Sequence, residues 1–286
     1  MKFLLLSVFS FVYLFSWDAF VNPSELREMI TKKNVVLLDT TDEKTFNKGH
    51  IPSAQRADIS DFRKQVGSYQ LMRSSKEIQK VARSLGINNN STVVLYGHNK
   101  PKELLKASYI ALALITNGLQ KVSILNGCYE GWLFDYENFI SKAKNNKENG
   151  NFTAKLNPNI LVDLKYVKNH IGKVPMIEAR PLRYFNAKAQ SKGVKRLGHI
   201  AKAQSSAWGN KFEHDRTIKS KKELEEIYLG TNHLNPNKEV ITYCTGGLEA
   251  SMNWYILSQH LHFKDVKLYD ASMREWGNRD DTPMEK

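Results

Sequence analysis

Cysteine is almost absent from this chain: two residues in 286, Cys128 and Cys244. A disulfide framework is thereby excluded. A comfortable membrane span is missing too, because the uninterrupted run of apolar and small residues from Phe3 to Phe15 is too short to cross a bilayer. Basic charge is plentiful, with 42 Lys and Arg against 29 Asp and Glu for a formal charge of +13, but it has no organisation. Clusters such as Lys142 to Lys147 and Lys219 to Lys222 lack interleaved aromatics, so they read as solvated faces and no nucleic-acid partner is expected.

What remains is globular. A hydrophobic content of 41% over 286 residues is enough for two cores of ordinary domain size. Met1-Lys2 followed by Phe3 to Phe15 has the basic start and apolar core of a secretory signal. Ser16 suits a cleavage site but Leu14 does not, so residues 1–19 read as a signal peptide or, if uncleaved, a membrane anchor. The expected location is periplasmic.

Beyond that segment the chain repeats itself. Short β-branched strands alternate with helices, the pattern of an open parallel α/β sheet. Phe20-Val21 reads as a short strand before a helix capped by Ser24, and Val35 to Leu38 as a buried strand. Thr92 to Tyr96 reads as a strand feeding a helix from Leu104 to Thr116, and Val122 to Leu125 as a further strand. The series returns later: Met176 to Arg180 answers Leu37 to Thr41, Gly198-His199-Ile200 answers Gly49-His50-Ile51, and Val240 to Thr245 answers Val93 to His98. Val266 to Trp276 answers Val122 to Trp132. The offset is close to half the chain, so the expected architecture is a duplicated α/β domain over 20–140 and 159–286. The polar stretch 141–158 joins the halves.

The segment from Val240 to Ser251 carries the chemistry. It reads as a buried strand, a glycine-containing loop and a helix start, with Met252, Tyr255, Ile256 and Gln259 at helical spacing. Cys244 then sits at the strand's C-terminal end, where α/β sheets bind ligands, among loop amides and beside a positive helix terminus. Such surroundings lower a cysteine pKa from about 8.5 to roughly 3.5–7.5, which makes a nucleophile; a small inert core cysteine is the alternative. A phosphatase is disfavoured, because the position six residues after the cysteine is Ala250 and not an arginine able to grip phosphate. The matching residue in the first half is Gly97, so one half alone can carry a nucleophile. Cys128 reads as a small residue in a tight turn. His50 and His199 recur in both halves and read as structural, and Trp132 and Trp276 as packing residues.

The two Gly-His-Ile segments, the Cys244 loop, and Tyr269 to Gly277 with Asp281-Thr282-Pro283 resemble the tandem-domain rhodanese family, the thiosulfate and 3-mercaptopyruvate sulfurtransferases. The resemblance implies two rhodanese-like domains, each an open, mainly parallel sheet flanked by helices, the first non-catalytic and the second catalytic. It implies a Cys244 persulfide that carries sulfur from a small-molecule donor to a thiol or cyanide acceptor, with no metal or organic cofactor. Thr245, Gly246, Gly247, Leu248 and Glu249 of the loop, and Arg183, are the implied substrate-binding residues. A sulfur-binding or partner-docking module with little or no turnover is the alternative reading.

Departures from the family bear on the donor. Thr245, Gly246 and Gly247 are neutral where the thiosulfate enzymes carry cations, and Glu249 is acidic. Gly246 replaces the serine of the mercaptopyruvate enzymes; Asp58 matches their aspartate, and the segment near Gln70 lacks their histidine. The family's substrate arginine falls on Tyr184, with Arg183 beside it and Lys192, Lys195 and Arg196 following. Arg180, at a buried strand end, reads as a residue that ties loops together. A like charge from Glu249 at about 4 Å costs roughly 4 kcal/mol at an effective dielectric of 20. Weak use of dianionic thiosulfate and better use of a less charged donor are therefore expected.

Overall fold

The computed structural model describes residues 17–145 and 148–286; the signal or anchor segment lies outside the described residues up to Ser16. The aliphatic runs form the strands, and burial on both faces explains why they do not alternate with polar residues. In the first half these are β1 (Phe20–Val21), β2 (Val35–Asp39), β3 (Gln55–Arg56), then β4 (Arg63–Val66) and β5 (Tyr69–Met72), and finally β6 (Thr92–Tyr96) and β7 (Lys121–Leu125). In the second half they are β8 (Leu161–Val162), β9 (Met176–Glu178), β10 (His199–Ile200), β11 (Gln204–Ser205), β12 (Glu239–Tyr243), β13 (Asp265–Tyr269) and β14 (Met284–Glu285).

Two five-stranded parallel sheets result, ordered β1-β7-β6-β2-β3 and β8-β13-β12-β9-β11. Their orders are identical, so the duplication seen in the sequence is a duplication of topology. It extends to single atoms. The Tyr96 hydroxyl accepts from the Ile51 amide (3.1 Å) and that of Tyr243 from Ile200 (3.2 Å). The indole of Trp132 donates to Phe139 O and that of Trp276 to Pro283 O, both at 3.0 Å. His50 stacks on Phe46 and His199 on Phe185, each with Nδ1 on that residue's carbonyl at 3.0 Å. These histidines hold the turns that follow the second and ninth strands.

Some details differ from expectation. The first helix, Pro23–Met29, is capped by Asn22, whose amide donates to Glu25 (2.7 Å), and not by Ser24; Pro23 takes the first helical position, which moves the cap one residue outward. The antiparallel hairpin β4–β5 turns at Gly67 (φ +55°) and had no counterpart in the sequence pattern. The stretch after Phe139 is no free tether. Ser141 and His50 exchange backbone hydrogen bonds (2.9 and 2.8 Å), and Phe152 is buried with its amide on Ile87 O (3.1 Å).

The halves meet through helices. Pro101–Thr116 packs against Leu248–Tyr255, where the Ser108 and Ser251 hydroxyls share a hydrogen bond (2.8 Å). The Tyr255 hydroxyl reaches Ala19 O (2.6 Å) and Val122 O (2.7 Å) in the first half. One apolar cluster runs through both halves and includes Ile110, Tyr255 and Cys244.

Candidate active site

Cys244 follows the central strand β12 directly and is fully buried. Its backbone is pinned on both sides: its amide donates to Ser272 Oγ (3.0 Å), and its carbonyl accepts from Met273 N (3.0 Å). The sulfur accepts from the Gly247 amide at 3.1 Å. Gly247 has φ +89°, and a Cβ there would lie 2.1 Å from Asp270 Oδ1 and 3.2 Å from the Tyr109 ring, so glycine alone fits. The eight-residue helix Leu248–Tyr255 starts at this point, as expected.

The acidity of the thiol differs from expectation. Burial pushes the Cys244 thiol well up, and the nearby Glu249 carboxylate adds to this through its charge and a hydrogen-bonding interaction, against the opposing amides of Ala250 and Gly246. Loop amides and a helix terminus favour the thiolate, but complete desolvation and the Glu249 charge disfavour it, and those two effects win. Replacing Glu249 with Gln removes the charge that disfavours the thiolate. The ultraviolet thiolate absorbance of Glu249→Gln, in a Cys128→Ser background, is therefore expected to titrate at lower pH than that of the matching Glu249 protein. An unchanged midpoint would show that this carboxylate does not bear on the sulfur.

Residues of the first half complete the site. Arg63, buried at the start of β4, donates through Nη2 to Gly246 O (2.6 Å) and Gln70 O (3.1 Å), and lies over the Tyr109 ring at 4.4 Å. It stands 3.6 Å from Asp270 Oδ1, while Asp270 Oδ2 accepts from the Tyr109 hydroxyl (2.7 Å) and the Met72 amide (2.8 Å). Asp270 therefore joins the cysteine loop, the hairpin and the long first-half helix. Sequence reasoning quoted Asp270 and Ser272 within a motif without giving either a role, and missed Arg63 and Tyr109.

The other sequence-derived residues are placed as follows. Thr245 is half-buried, with Oγ1 3.5 Å from Ser191 Oγ. Leu248 packs on the core and Glu249 is half-buried beside the sulfur. Arg183 is exposed on the short helix Leu182–Phe185, with Nη2 on the Tyr184 hydroxyl (3.3 Å), and is not brought to the loop. Arg180 pairs with Glu178 and holds Ser191 Oγ (3.1 Å) and Gly198 O (2.8 Å), the tying role expected of it. Arg196 is occupied by Thr282 O (2.9 Å) and Trp276 O (2.8 Å). Asp58 caps a short helical turn; against its partial burial, Arg56 and Ser60 hold its carboxyl down to about 2. Cys128 is buried, and desolvation pushes its thiol up to about 12.

An open cavity of about 750 Å³ lies beside the loop, lined in part by Ser68 of the hairpin turn, Ser191, Lys192, Lys195 and Asn278. Cys244 does not line it; Thr245 and Arg274 stand between.

In the first half the matching loop is blocked. A Cβ on Gly97 would lie 2.8 Å from Glu103 Cβ and 3.0 Å from Thr40 Oγ1. Carboxylates occupy its amides: Glu103 accepts from His98 N (3.0 Å) and Glu130 from Asn99 N (2.6 Å).

A buried cysteine, presented on a glycine-bearing loop at the end of a central parallel strand and closed over by a degenerate copy of the same domain, defines a thiol-dependent α/β enzyme with a duplicated core. The rhodanese-like domain model matches residues 22–135 and 163–279, and the chain belongs to that family, in the tandem arrangement of the sulfurtransferases. It is 31% identical over 242 residues to the 3-mercaptopyruvate sulfurtransferase of Escherichia coli K12, covering 83% of each chain. It is 27% identical to the sulfur carrier protein TtuD of Thermus thermophilus, covering 94% of this chain and 97% of that one. The fold is shared with an anaerobic ergothioneine biosynthesis enzyme of Chlorobium limicola, with a TM-score of 0.81 at 22% identity over 94% of this chain and 70% of the other.

Proposed function

We propose that this protein is a sulfurtransferase that carries a sulfane sulfur as a persulfide on Cys244, from a small-molecule donor to a thiol or cyanide. The observation that carries the reading is the Cys244 sulfur held under the Gly247 amide (3.1 Å) on a loop whose first-half copy has glycine and two carboxylates in its place. The Cys244 sulfur attacks the donor's outer sulfur while its proton passes to the Glu249 carboxylate. The bond from that outer sulfur to the rest of the donor breaks, and its electron pair leaves with the remainder. The terminal sulfur of the persulfide then carries the negative charge, and the loop amides stabilise it. An acceptor attacks that sulfur, and the Cys244 thiolate leaves and recovers its proton.

An exported setting belongs to the same proposal and rests on the basic start and apolar run of residues 1–15. Intact-protein mass tests the chemistry. After incubation with a sulfane donor, the native protein should gain one sulfur atom and lose it on addition of cyanide. No gain with any donor would sink the reading.

A further inference from the structure

Each domain carries a residue two places before its packing tryptophan, Glu130 in the first and Arg274 in the second. In the first domain Glu130 sits on the loop that matches the cysteine loop. Its carboxylate accepts from Asn99 N (2.6 Å) and lies 3.1 Å from His98 Nδ1. The fold thus directs this position at the loop, and there an internal carboxylate occupies an amide. In the second domain the residue matching Asn99 is Gly246, and the charge at the partner position is reversed. The Arg274 side chain lies along Gly246, where a Cβ would be 3.4 Å from its Cδ, 3.8 Å from Nε and 3.9 Å from Nη1. Its Nε is also 3.8 Å from the Cβ position of Gly193, in the wall of the cavity beside the loop. Among the described residues no carboxylate pairs with this half-buried guanidinium.

We propose that Arg274 is the donor-binding cation of this enzyme, standing between the cavity and the Gly246 amide and holding the terminal carboxylate or sulfonate of a small sulfur donor. The cation absent from the loop itself is then supplied from the helix Ser272–Trp276, and the side-chain-free Gly246 leaves room for it. Lys192 and Lys195, exposed on the cavity wall, add to the attraction. The poor thiosulfate use expected from the loop sequence is revised accordingly: Arg274 offsets Glu249, and both thiosulfate and mercaptopyruvate become donors whose affinity depends on Arg274.

This proposal rests on the sulfurtransferase reading, and the experiment separates the two. Modification of Cys244 is measured by intact mass with thiosulfate, with 3-mercaptopyruvate and with uncharged diallyl trisulfide, whose attacked S–S bond breaks to leave an allyl-sulfur adduct on the cysteine and release the remainder as thiolate or perthiolate, and steady-state turnover to cyanide is measured with the two anionic donors, for the native protein, Arg274→Gln and Arg274→Lys. In Arg274→Gln, KM for both anionic donors should rise about 10- to 100-fold, the loss typical of one charge-assisted hydrogen bond, with kcat much less affected. Loading from the trisulfide should be unchanged, and Arg274→Lys should fall between, since it keeps the charge but not the fork. Unchanged KM values for the anionic donors in Arg274→Gln would overturn the proposal. So would an equal loss with the trisulfide, which would mark a structural role. If Arg274→Gln does not fold, an Arg274→Lys protein with native KM for the anionic donors and impaired loading from the trisulfide would overturn it as well. A native protein that loads from none of the three donors would instead overturn the sulfurtransferase reading on which this rests.

Discussion

Cys244→Ser is expected to take up no sulfur and to lose turnover by more than about a thousandfold, because the covalent route has no second nucleophile. The serine hydroxyl can take over the Gly247 hydrogen bond that the sulfur accepts at 3.1 Å, so stability should change by no more than about 1 kcal/mol. Cys128→Ser supplies the contrast. Cys128 is buried at the start of the helix Cys128–Tyr136, in the position that Ser272 fills in the second half, and both residues adopt a left-handed backbone (φ 60° and 53°). Serine is therefore already accepted at the matching place, and turnover should persist. Turnover lost in Cys128→Ser and kept in Cys244→Ser would reverse the assignment.

Arg63→Ala should be the most damaging substitution outside the cysteine. Burial of Asp270 raises its pKa and Arg63 opposes that rise, so the ion is kept inside largely by one cation. Removing one partner of a buried pair costs about 3–5 kcal/mol, chiefly through the charge left behind. The Gly246 carbonyl and the Tyr109 ring lose their contacts to Arg63 as well. At neutral pH the thermal midpoint should fall on the order of 10 °C. The pH dependence follows from the direction of the shift. With Arg63 gone the folded pKa of Asp270 lies still further above its unfolded value than in the native protein, so the carboxyl is tolerated when protonated and the charge part of the deficit opens only as pH rises through the native protein's own raised Asp270 pKa. Thermal midpoints of native and variant protein at acid and neutral pH check this. Equal deficits at both would show that the lost contacts, and not the Asp270 charge, set the cost.

The duplication was legible because aliphatic strand runs and the Gly-His-Ile turns are local patterns, and the same patterns placed Cys244 at a strand end. What lay across the domain boundary was not. The hairpin from Arg63 to Met72 is short, polar and only partly buried, so it has no periodicity to read. Its one decisive residue matters through Gly246 and Asp270, far along the chain. The thiol's acidity was misjudged for a related reason. Loop amides can be inferred from a strand–loop–helix pattern, whereas the complete burial of Cys244 in a cluster that spans both halves cannot. For Arg274 a signal did exist: aligning Trp132 with Trp276 sets it opposite Glu130, and a charge reversal beside a loop that carries its nucleophile in one half alone marks a position that follows the chemistry.

Glu103 makes the glycine of the first loop hard to replace. A side chain at position 97 would place its Cβ 2.8 Å from Glu103 Cβ and 3.0 Å from the Glu103 carbonyl carbon, and the Glu103 carboxylate takes the His98 amide (3.0 Å). Restoring a cysteine by one substitution now meets both a filled space and an anion on the amide, at about 1–3 kcal/mol for the overpacking alone. A smaller side chain at position 103 keeps that Cβ and that backbone carbon where they are, so the space opens only if the start of the helix itself moves. The first loop is closed to a nucleophile by its backbone as well as by its charge, and one substitution does not make a two-site enzyme of this chain.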